Sequence, residues 1–190
     1  MIGGTFEYLM SSLPNLSFQN TEEAKQRVLR VLQKYAGNAS EGLSPADILD
    51  EEAQKFLPAS AFSIFQKMNL KNIHEEAFQK NKSQVLSAFS KFTFELKKEI
   101  KARRTSQDGN DKKSTKNNRI EEIIGDGTPL EKEIRIMQYQ WDTLEALSVG
   151  HFADMEAVFT YKIKLMILLR WWSFNEEKGF KNFIRMTTNN

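Results

Sequence analysis

The side chains best suited to acid–base or metal chemistry in this sequence are two histidines, His74 and His151. Histidine titrates near neutral pH and is a common metal ligand. His74 is followed by two glutamates in the stretch NIHEE, which places carboxylates beside an imidazole. Neither histidine has a second one at the i, i+4 spacing that puts two metal ligands on one helix face. A solvent-exposed helix start explains NIHEE better than a metal site does, so we expect no bound metal.

Other motifs that carry chemistry are missing or incomplete. The sequence has no cysteine, which excludes disulfides and thiolate chemistry. It has no phosphate-binding P-loop and no G-x-S-x-G turn for a nucleophilic serine. Asp108 and Asn110 resemble the start of a calcium loop, but Lys112 stands where an oxygen ligand is required. These observations predict a protein that is not itself an enzyme and that binds no cofactor.

A group of cations is the feature with the clearest potential for binding. Residues 97–119 contain nine lysines and arginines and three acidic residues, although the whole chain has a net charge of only +2. One explanation is that these cations stabilise the negative C-terminal end of a long helix. The alternative is a docking patch for an acidic protein surface or for phosphates. The candidate partner-binding residues in this group are Lys97, Lys98, Lys101, Arg103 and Arg104.

Two adjacent tryptophans, Trp171 and Trp172, end the apolar stretch near the C-terminus. Adjacent helical residues point about 100° apart, so one helix cannot bury both rings in the same place. A helical projection of residues 154–173 puts Trp172 in the main apolar arc, which predicts that it belongs to the core. Trp171 lies on the flank, where the last helix of the chain, a partner protein or, least plausibly, lipid would cover its ring. A contact within the chain is the simplest interpretation, and Trp171 is also a candidate partner-binding residue.

The pattern of apolar residues is helical along almost the whole chain. Apolar side chains recur at three- and four-residue steps from residue 21 to residue 186, apart from loops. The expected N-caps are Thr21, Ser44, Thr128 and Asp154. We therefore predict an all-α fold, an elongated bundle of about seven or eight helices that forms a single domain over residues 1–190. Only residues 1–18 are expected to form a short irregular N-terminal segment or strand.

Two central segments differ sharply in character. Residues 73–104 carry apolar side chains over six or more turns without glycine or proline, which predicts one long helix. Residues 105–119 contain no apolar side chain, so burial cannot offset the entropy lost on ordering. We predict that they form a flexible polar loop or linker. A last short helix is expected to begin after Asn175.

Neither a membrane span nor a nucleic-acid partner is expected. The most apolar stretch, residues 158–172, is interrupted by Lys162, Lys164 and Arg170, whereas a spanning helix needs about 20 mostly apolar residues. The N-terminus lacks the basic leader of a signal peptide. No aromatic side chains alternate with the cations of residues 97–119, so a platform for stacking bases is missing.

Three parts of the chain resemble a known bacterial family. Residues 6–18, FEYLMSSLPNLSF, resemble its opening, an aromatic-rich Tyr-Leu followed by Leu-Pro-Asp/Asn-Leu-Ser. Residues 94–104 resemble its central helix, which ends in Ala-Arg-Lys/Arg. The stretch from residue 130 onwards resembles its ending, a long helix that finishes in Arg-Trp-x-Ser-Leu/Phe-Asp/Asn-x-Glu-Lys-Gly. The residues that match this last pattern are Arg170, Trp171, Ser173, Phe174, Asn175, Glu177, Lys178 and Gly179.

The family that the chain resembles has its genes among those of V-type ATP synthases, and it is similar to the C-type subunit of these enzymes, which is named d in eukaryotes. The resemblance implies an all-helical, non-catalytic component of the central stalk, which couples the rotor axle to the membrane ring for ion transport. The implied partners are the rotor axle subunits and the membrane proteolipid ring. The implied location is cytoplasmic, peripheral on the inner membrane as part of the complex. Two other functions stay open: a free-standing helical adaptor without a motor role, and a small enzyme whose site the sequence does not reveal.

Overall fold

Helices make up the part of the chain that the structure describes. In the computed structural model, these residues are 3–36, 43–106 and 118–174. They form nine helices and no strand, which confirms the predicted all-α class. The helices are α1 (Gly3–Ser12), α2 (Glu22–Ala36), α3 (Pro45–Gln54), α4 (Ala59–Lys67), α5 (Glu76–Gln79), α6 (Gln84–Ser106), α7 (Asn118–Ile124), α8 (Pro129–Leu147) and α9 (Met155–Trp172).

The helix starts follow the capping signals in the sequence. Ser44 and Thr128 each form a capping box with the carboxylate three residues later, and each is followed by proline. Thr21 Oγ1 accepts a hydrogen bond of 3.2 Å from a backbone N–H of α2. Asp154 Oδ1 accepts one of 2.8 Å from a backbone N–H of α9. These local interactions satisfy donors that the first turn of a helix leaves unpaired, so the four predicted caps are confirmed.

The N-terminal segment is more regular than the sequence predicted. Helix α1 occupies most of residues 1–18, where we predicted an irregular segment or strand, and the irregular part is confined to residues 13–21. Phe6 and Leu9 lie three residues apart and are both buried in the main core. Burial of this short stripe outweighs the low helix propensity of the glycines at the start of α1. Tyr161 fixes the irregular part, because its hydroxyl donates to the carbonyl oxygen of Pro14 at 2.8 Å.

The long central helix is interrupted once. We predicted a single helix over residues 73–104, but the structure has the short α5 and then α6, so the prediction is wrong for its first third. Asn81 Oδ1 accepts a hydrogen bond of 2.9 Å from the N–H of Ser83 in the turn between them. Ser83 Oγ accepts one of 3.1 Å from the N–H of Leu86. Ser83 is therefore an N-cap that the continuous apolar periodicity concealed.

Helix α6 receives a second cap from a residue distant in sequence. Glu156, in the first turn of α9, accepts hydrogen bonds from the N–H groups of Gln84 at 3.0 Å and Val85 at 3.1 Å. It also accepts one of 2.5 Å from the hydroxyl of Ser83. A carboxylate at this place complements both the unpaired N–H groups and the positive end of the helix dipole. The N-terminal ends of α6 and α9 are thereby fixed to each other.

Glu156→Ala is expected to lower the free energy of unfolding by about 1.5–3 kcal/mol, because three donors at the start of α6 lose a charged acceptor. Glu156→Gln keeps an acceptor oxygen but removes the charge, so it should lose less than the alanine variant. Urea denaturation would measure both variants against the wild type. Glu51→Ala, which removes an exposed carboxylate from α3, is the control and should change stability by about 0.5 kcal/mol or less. Unchanged stability of Glu156→Ala would contradict the assigned role.

Helix α9 lies at the centre of the fold and is buried on nearly every side. We predicted one apolar arc that includes Val158 and Leu165, and both side chains are fully buried. Phe159, Ile163 and Ile167 lie outside that arc and are just as inaccessible. Helices α1, α3, α6 and α8 all contact α9, so its middle is enclosed by other helices. The single predicted arc is therefore too narrow.

This enclosure buries a lysine. Lys162 of α9 is only 2% exposed. Its Nζ donates hydrogen bonds of 2.6 Å to Asp50 Oδ1 on α3 and of 2.6 Å to the carbonyl oxygen of Phe65 on α4. Burial lowers the pKa of Lys162 and raises the pKa of Asp50, because each charge loses hydration that its partner only partly replaces. The ion pair connects α3 and α4 to the central helix.

The two tryptophans at the end of α9 do not divide as predicted. Trp172 is not a core residue, since both rings are half-buried at the margin of the core. Trp171 stacks on Phe18 with ring centroids 4.3 Å apart, and Phe18 in turn contacts Trp141 at 5.6 Å. Trp172 Nε1 donates a hydrogen bond of 2.9 Å to the carbonyl oxygen of Gln19. The segment after α1 therefore covers Trp171, which confirms the interpretation that its ring packs within the chain.

A smaller apolar cluster lies beside the main core. Its buried members are Leu96 and Ile100 of α6 and Ile120 of α7. Ile136 and Tyr139 of α8 pack against it from the other side. This cluster fixes the spacing between the C-terminal half of α6 and the N-terminal half of α8.

Some sequence predictions fall outside the described residues. Most of the predicted polar loop does so, although its edges, where α6 ends and α7 begins, are helical. The short helix predicted after Asn175 also lies outside the described residues.

Candidate functional site

Three of the cations singled out in the sequence line a groove. It lies between the C-terminal half of α6, the N-terminal half of α8 and the end of α9. Its volume is about 650 Å³. The basic lining residues are Lys71, Lys97, Lys101, Arg104 and Arg170, and the acidic lining residue is Glu133. We call this feature the basic groove.

The floor of the basic groove is apolar. Leu96 and Ile100 of α6 contribute to it, together with Leu70 and Ile136. Leu96 and Ile100 belong to the smaller apolar cluster, so packing beneath the groove holds the floor in place. Leu70 and Ile136 remain half-buried, which leaves apolar surface open to a ligand.

The cations on α6 form a row along one wall of the groove. Lys97, Lys101 and Arg104 follow an i, i+4, i+7 spacing, which places them on one helix face. All three residues are exposed. Within residues 3–36, 43–106 and 118–174, no carboxylate lies within ion-pair distance of Lys101 or Arg104. This wall therefore carries positive charge that the described part of the protein does not neutralise.

Lys97 has a different environment from the other two cations. Its Nζ lies 2.9 Å from Nδ1 of His74, which fits donation from the ammonium group to a neutral imidazole ring. Partial burial lowers the pKa of Lys97, and the positive charge of Arg170 lowers it further. Lys97 and Arg170 are thus close enough to repel each other, and an anionic ligand would relieve that repulsion.

The opposite side of the groove carries its one acidic lining residue. Glu133 of α8 forms an ion pair with Arg170 of α9, with 2.6 Å between Arg170 Nη2 and Glu133 Oε1. The side chain of Arg170 is still 44% exposed. The groove therefore has an unpaired basic wall on α6 and a partly neutralised wall on α8 and α9.

The structure separates the six candidate residues predicted from the sequence. Lys97, Lys101 and Arg104 line the groove, whereas Lys98 points towards Glu95 at 3.7 Å on exposed surface. The other two predicted residues, Arg103 and Trp171, do not line it either.

Those two residues make contacts within the fold. Arg103 pairs with Glu121 of α7 at 3.3 Å, and its side chain is only 12% exposed. Trp171 stacks on Phe18, as described above. Both side chains contribute to packing between elements in this structure.

Sequence reasoning did not find two basic residues of the groove. Lys71 lies in the turn after α4, and Arg170 lies near the end of α9. Each is distant in sequence from residues 97–104, and the packing of α9 against α6 and α8 brings Arg170 to the groove. A helical projection of α9 would have placed Arg170 on the exposed side, but it could not have shown which neighbouring helices form a groove beside it.

A second surface lies at the other end of the antiparallel pair formed by α8 and α9. A cleft of about 530 Å³ lies beside the turn of residues 148–153. Val149 and Phe152 in this turn are 78% and 80% exposed. The nearby Lys164 is paired with Glu145 at 3.1 Å. This end of the hairpin is therefore apolar and nearly neutral, in contrast to the basic groove.

The two histidines occupy separate environments. His74 contacts Lys97 at the basic groove, whereas His151 lies in the turn between α8 and α9. Asp154 Oδ2 lies 2.6 Å from Nδ1 of His151, and this hydrogen bond raises the pKa of the ring. In the part of the chain that is described, no group of three or more His, Cys, Asp or Glu side chains could hold a metal ion. No helix among those same residues is long and apolar enough to cross a membrane.

The described part of the chain is all-α and carries a positively charged groove with an apolar floor. The chain belongs to the family described as "Protein of unknown function (DUF2764)", which matches residues 67–189. That range contains helices α5–α9 and the residues that line the basic groove. No curated protein and no solved structure matches the chain significantly.

Proposed function

We propose that this protein is a non-catalytic central-stalk component of a V-type rotary ATPase, similar to the C-type subunit, and that the basic groove docks an acidic surface of that complex. The observation that carries the proposal is the row of cations on α6, of which Lys101 and Arg104 lack a carboxylate partner among the described residues. Charge of this kind accelerates association with a surface of opposite sign and disfavours partners of like sign.

The resemblance to the family associated with V-type ATP synthases supplies the identity of the complex. Residues 6–18 and 94–104 and the pattern that includes Arg170 and Trp171 carry this resemblance. Arg170 lines the basic groove, and residues 97–104 form its basic wall. Two of the three parts of the chain that resemble the family thus also contribute to the groove, which supports a role for the groove in the complex.

The positions of the two surfaces suit a connecting protein. The basic groove and the apolar cleft lie at opposite ends of the α8–α9 pair, about 18 Å apart when measured along α8 from Glu133 to Glu145. One protein could therefore contact two partners without their competing for the same surface. In the proposed complex these partners are the rotor axle subunits and the membrane proteolipid ring, and the protein is peripheral on the cytoplasmic face of the inner membrane.

Reversing two groove charges should weaken binding to purified V-type rotor axle subunits by about tenfold or more, equivalent to about 1.4 kcal/mol. The test variant is Lys101→Glu with Arg104→Glu, both exposed residues of the groove. The control is Lys34→Glu with Lys91→Glu, which changes the net charge equally at exposed positions outside the groove. Binding would be measured by surface plasmon resonance at low and high ionic strength, and wild-type affinity should fall as salt rises.

Two results would count against this proposal. Equal affinity of the groove variant and the control variant would remove the basic groove from the interaction. Absence of wild-type binding to any V-type subunit would instead favour a free-standing helical adaptor, which could use the same groove without a motor role. Circular dichroism of each variant would verify that the helical fold is retained.

A further inference from the structure

We propose that the element that occupies the basic groove is an amphipathic helix with carboxylates along one edge of its apolar stripe. This inference rests on the proposed docking function, but it does not depend on the identity of the rotary complex. It specifies the chemistry of the partner's segment rather than the partner's name.

The floor of the groove determines that the partner must bring apolar side chains. Leu70 and Ile136 are half-buried and expose apolar surface in the groove, beside the buried Leu96 and Ile100. A purely anionic ligand would bind the rim and leave this apolar surface in contact with water or with unmatched polar groups. A helix that places residues i, i+3, i+4 and i+7 on the floor would instead bury it.

The basic wall determines where the partner's charges must lie. Seven residues separate Lys97 from Arg104, which corresponds to about 10.5 Å along the α6 axis. A second helix that lies along α6 presents side chains at the same spacing, so carboxylates at i, i+4 and i+7 can each approach one cation. Cations spread over two helical turns fit a row of carboxylates better than they fit a single phosphate.

The opposite wall gives the complex an orientation. Glu133 lies on α8, across the groove from the α6 cations, and it already pairs with Arg170. A carboxylate of the partner would be repelled by Glu133 and attracted by Lys101 and Arg104. The acidic edge of the partner helix must therefore face α6, and a neutral edge must face α8.

The shape and composition of the groove disfavour two other classes of partner. A planar lipid surface cannot reach a floor that lies between two helices. Nucleic acid commonly uses aromatic side chains to stack bases, and no aromatic residue lines the groove in the part of the chain that is described. The combination of a charged row with a parallel apolar strip instead matches the helix-in-groove mode of peptide recognition.

The test uses the full chain and three fluorescently labelled helical peptides of about 18 residues, or five turns. The first carries glutamates at i, i+4, i+7 and i+11 beside a leucine stripe. The second has the same composition with the glutamates moved to the side opposite the leucines. The third keeps the glutamates and replaces the leucines with alanines. Binding is measured by fluorescence anisotropy, with inorganic phosphate added at constant ionic strength as a competitor.

The first peptide is expected to bind at least about tenfold more tightly than the other two. Lys101→Glu with Arg104→Glu should reduce its affinity at least about tenfold. The control variant, Lys34→Glu with Lys91→Glu, should bind like the wild type. Inorganic phosphate should not displace the peptide.

Four results would overturn the inference. Equal binding of the first and second peptides would show that only the net charge of the ligand matters. Equal binding of the first and third peptides would show that the apolar floor does not contribute to peptide affinity. Displacement by phosphate would indicate a small-anion site. If rotor subunits bind but the first peptide does not, this inference fails and the proposed function stands. If the first peptide binds but no rotor subunit does, the proposed role in a rotary ATPase fails and the acidic helix remains the ligand.

Discussion

Asp50→Ala should destabilise this protein by about 3–5 kcal/mol, because it leaves the buried ammonium group of Lys162 without its counter-charge. Lys162 is 2% exposed, so water cannot replace the lost carboxylate unless the fold opens. The carbonyl oxygen and the ring of Phe65 would remain as its contacts, at 2.6 Å and 4.4 Å from Nζ. A loss of this size is a large share of the stability of a typical domain. Thermal and urea denaturation would measure it.

The double variant Asp50→Ala with Lys162→Met separates the charge from the packing. Methionine keeps an unbranched apolar side chain in the site of Lys162 and removes the unpaired charge, so the double variant should be more stable than Asp50→Ala alone. If the two proteins had the same stability, the loss in Asp50→Ala would come from packing and not from the buried charge.

The difference in stability between Asp50→Ala and the double variant should change with pH in one direction. Burial lowers the pKa of Lys162 below its ordinary value of 10.5, so the folded state releases this proton at a lower pH than the unfolded state does. The unfolded state then binds more protons, and stability rises with pH until about 10.5 is passed. The deficit of Asp50→Ala relative to the double variant, which has no lysine at this position, should therefore shrink as pH is raised towards that value.

Trp171→Ala should cost as much stability as Trp172→Ala or more, with about 2–4 kcal/mol for each half-buried ring. Trp171 loses a stacked contact with Phe18, whose centroid lies 4.3 Å away, and the Phe18–Trp141 contact loses its support. Trp172→Ala loses apolar contact and the 2.9 Å hydrogen bond to the carbonyl oxygen of Gln19. Chemical denaturation of the two variants would give the comparison directly.

Two further measurements make the tryptophan comparison specific. Trp172→Phe keeps most of the ring but removes the N–H donor, so its loss should be close to the net value of one hydrogen bond, about 1 kcal/mol. Phe18→Ala should resemble Trp171→Ala and should add little to it in a double variant, because both remove the same stacked contact. A much greater loss in Trp172→Ala than in Trp171→Ala would contradict the packing described here.

Local signals in the sequence were sufficient to predict most helix starts. Ser44 and Thr128 each carry a proline next to them and a carboxylate three residues later, and this information lies within four residues. The interruption before α6 was missed because only part of its signal is local. Asn81 and Ser83 mark a helix start, but the carboxylate that completes the cap belongs to Glu156, and the continuous apolar periodicity favoured one uninterrupted helix.

Residues whose role depends on long-range packing could not be assigned from the sequence. Lys162 interrupts an apolar stretch and suggests a solvent-facing position, yet the structure buries it against Asp50, 112 residues away. Trp171 was assigned correctly to a flank, but its cover, Phe18, comes from the other end of the chain. For the candidate site, the charge of α6 was evident from the sequence, whereas the apolar floor and Arg170 required the three-dimensional arrangement.

The cap that Glu156 provides for α6 has a consequence for the order in which the chain is made. Synthesis proceeds from the N-terminus, so Gln84 is made 72 residues before the side chain that accepts its N–H. At about 5–20 residues per second, the first residue of α6 is made roughly 4–14 s before Glu156 is added. During that interval the first turn of α6 has only Ser83 as a cap, and α9 is not yet available to cover the apolar face of α6. The basic groove can therefore assemble only after α9 has left the ribosome.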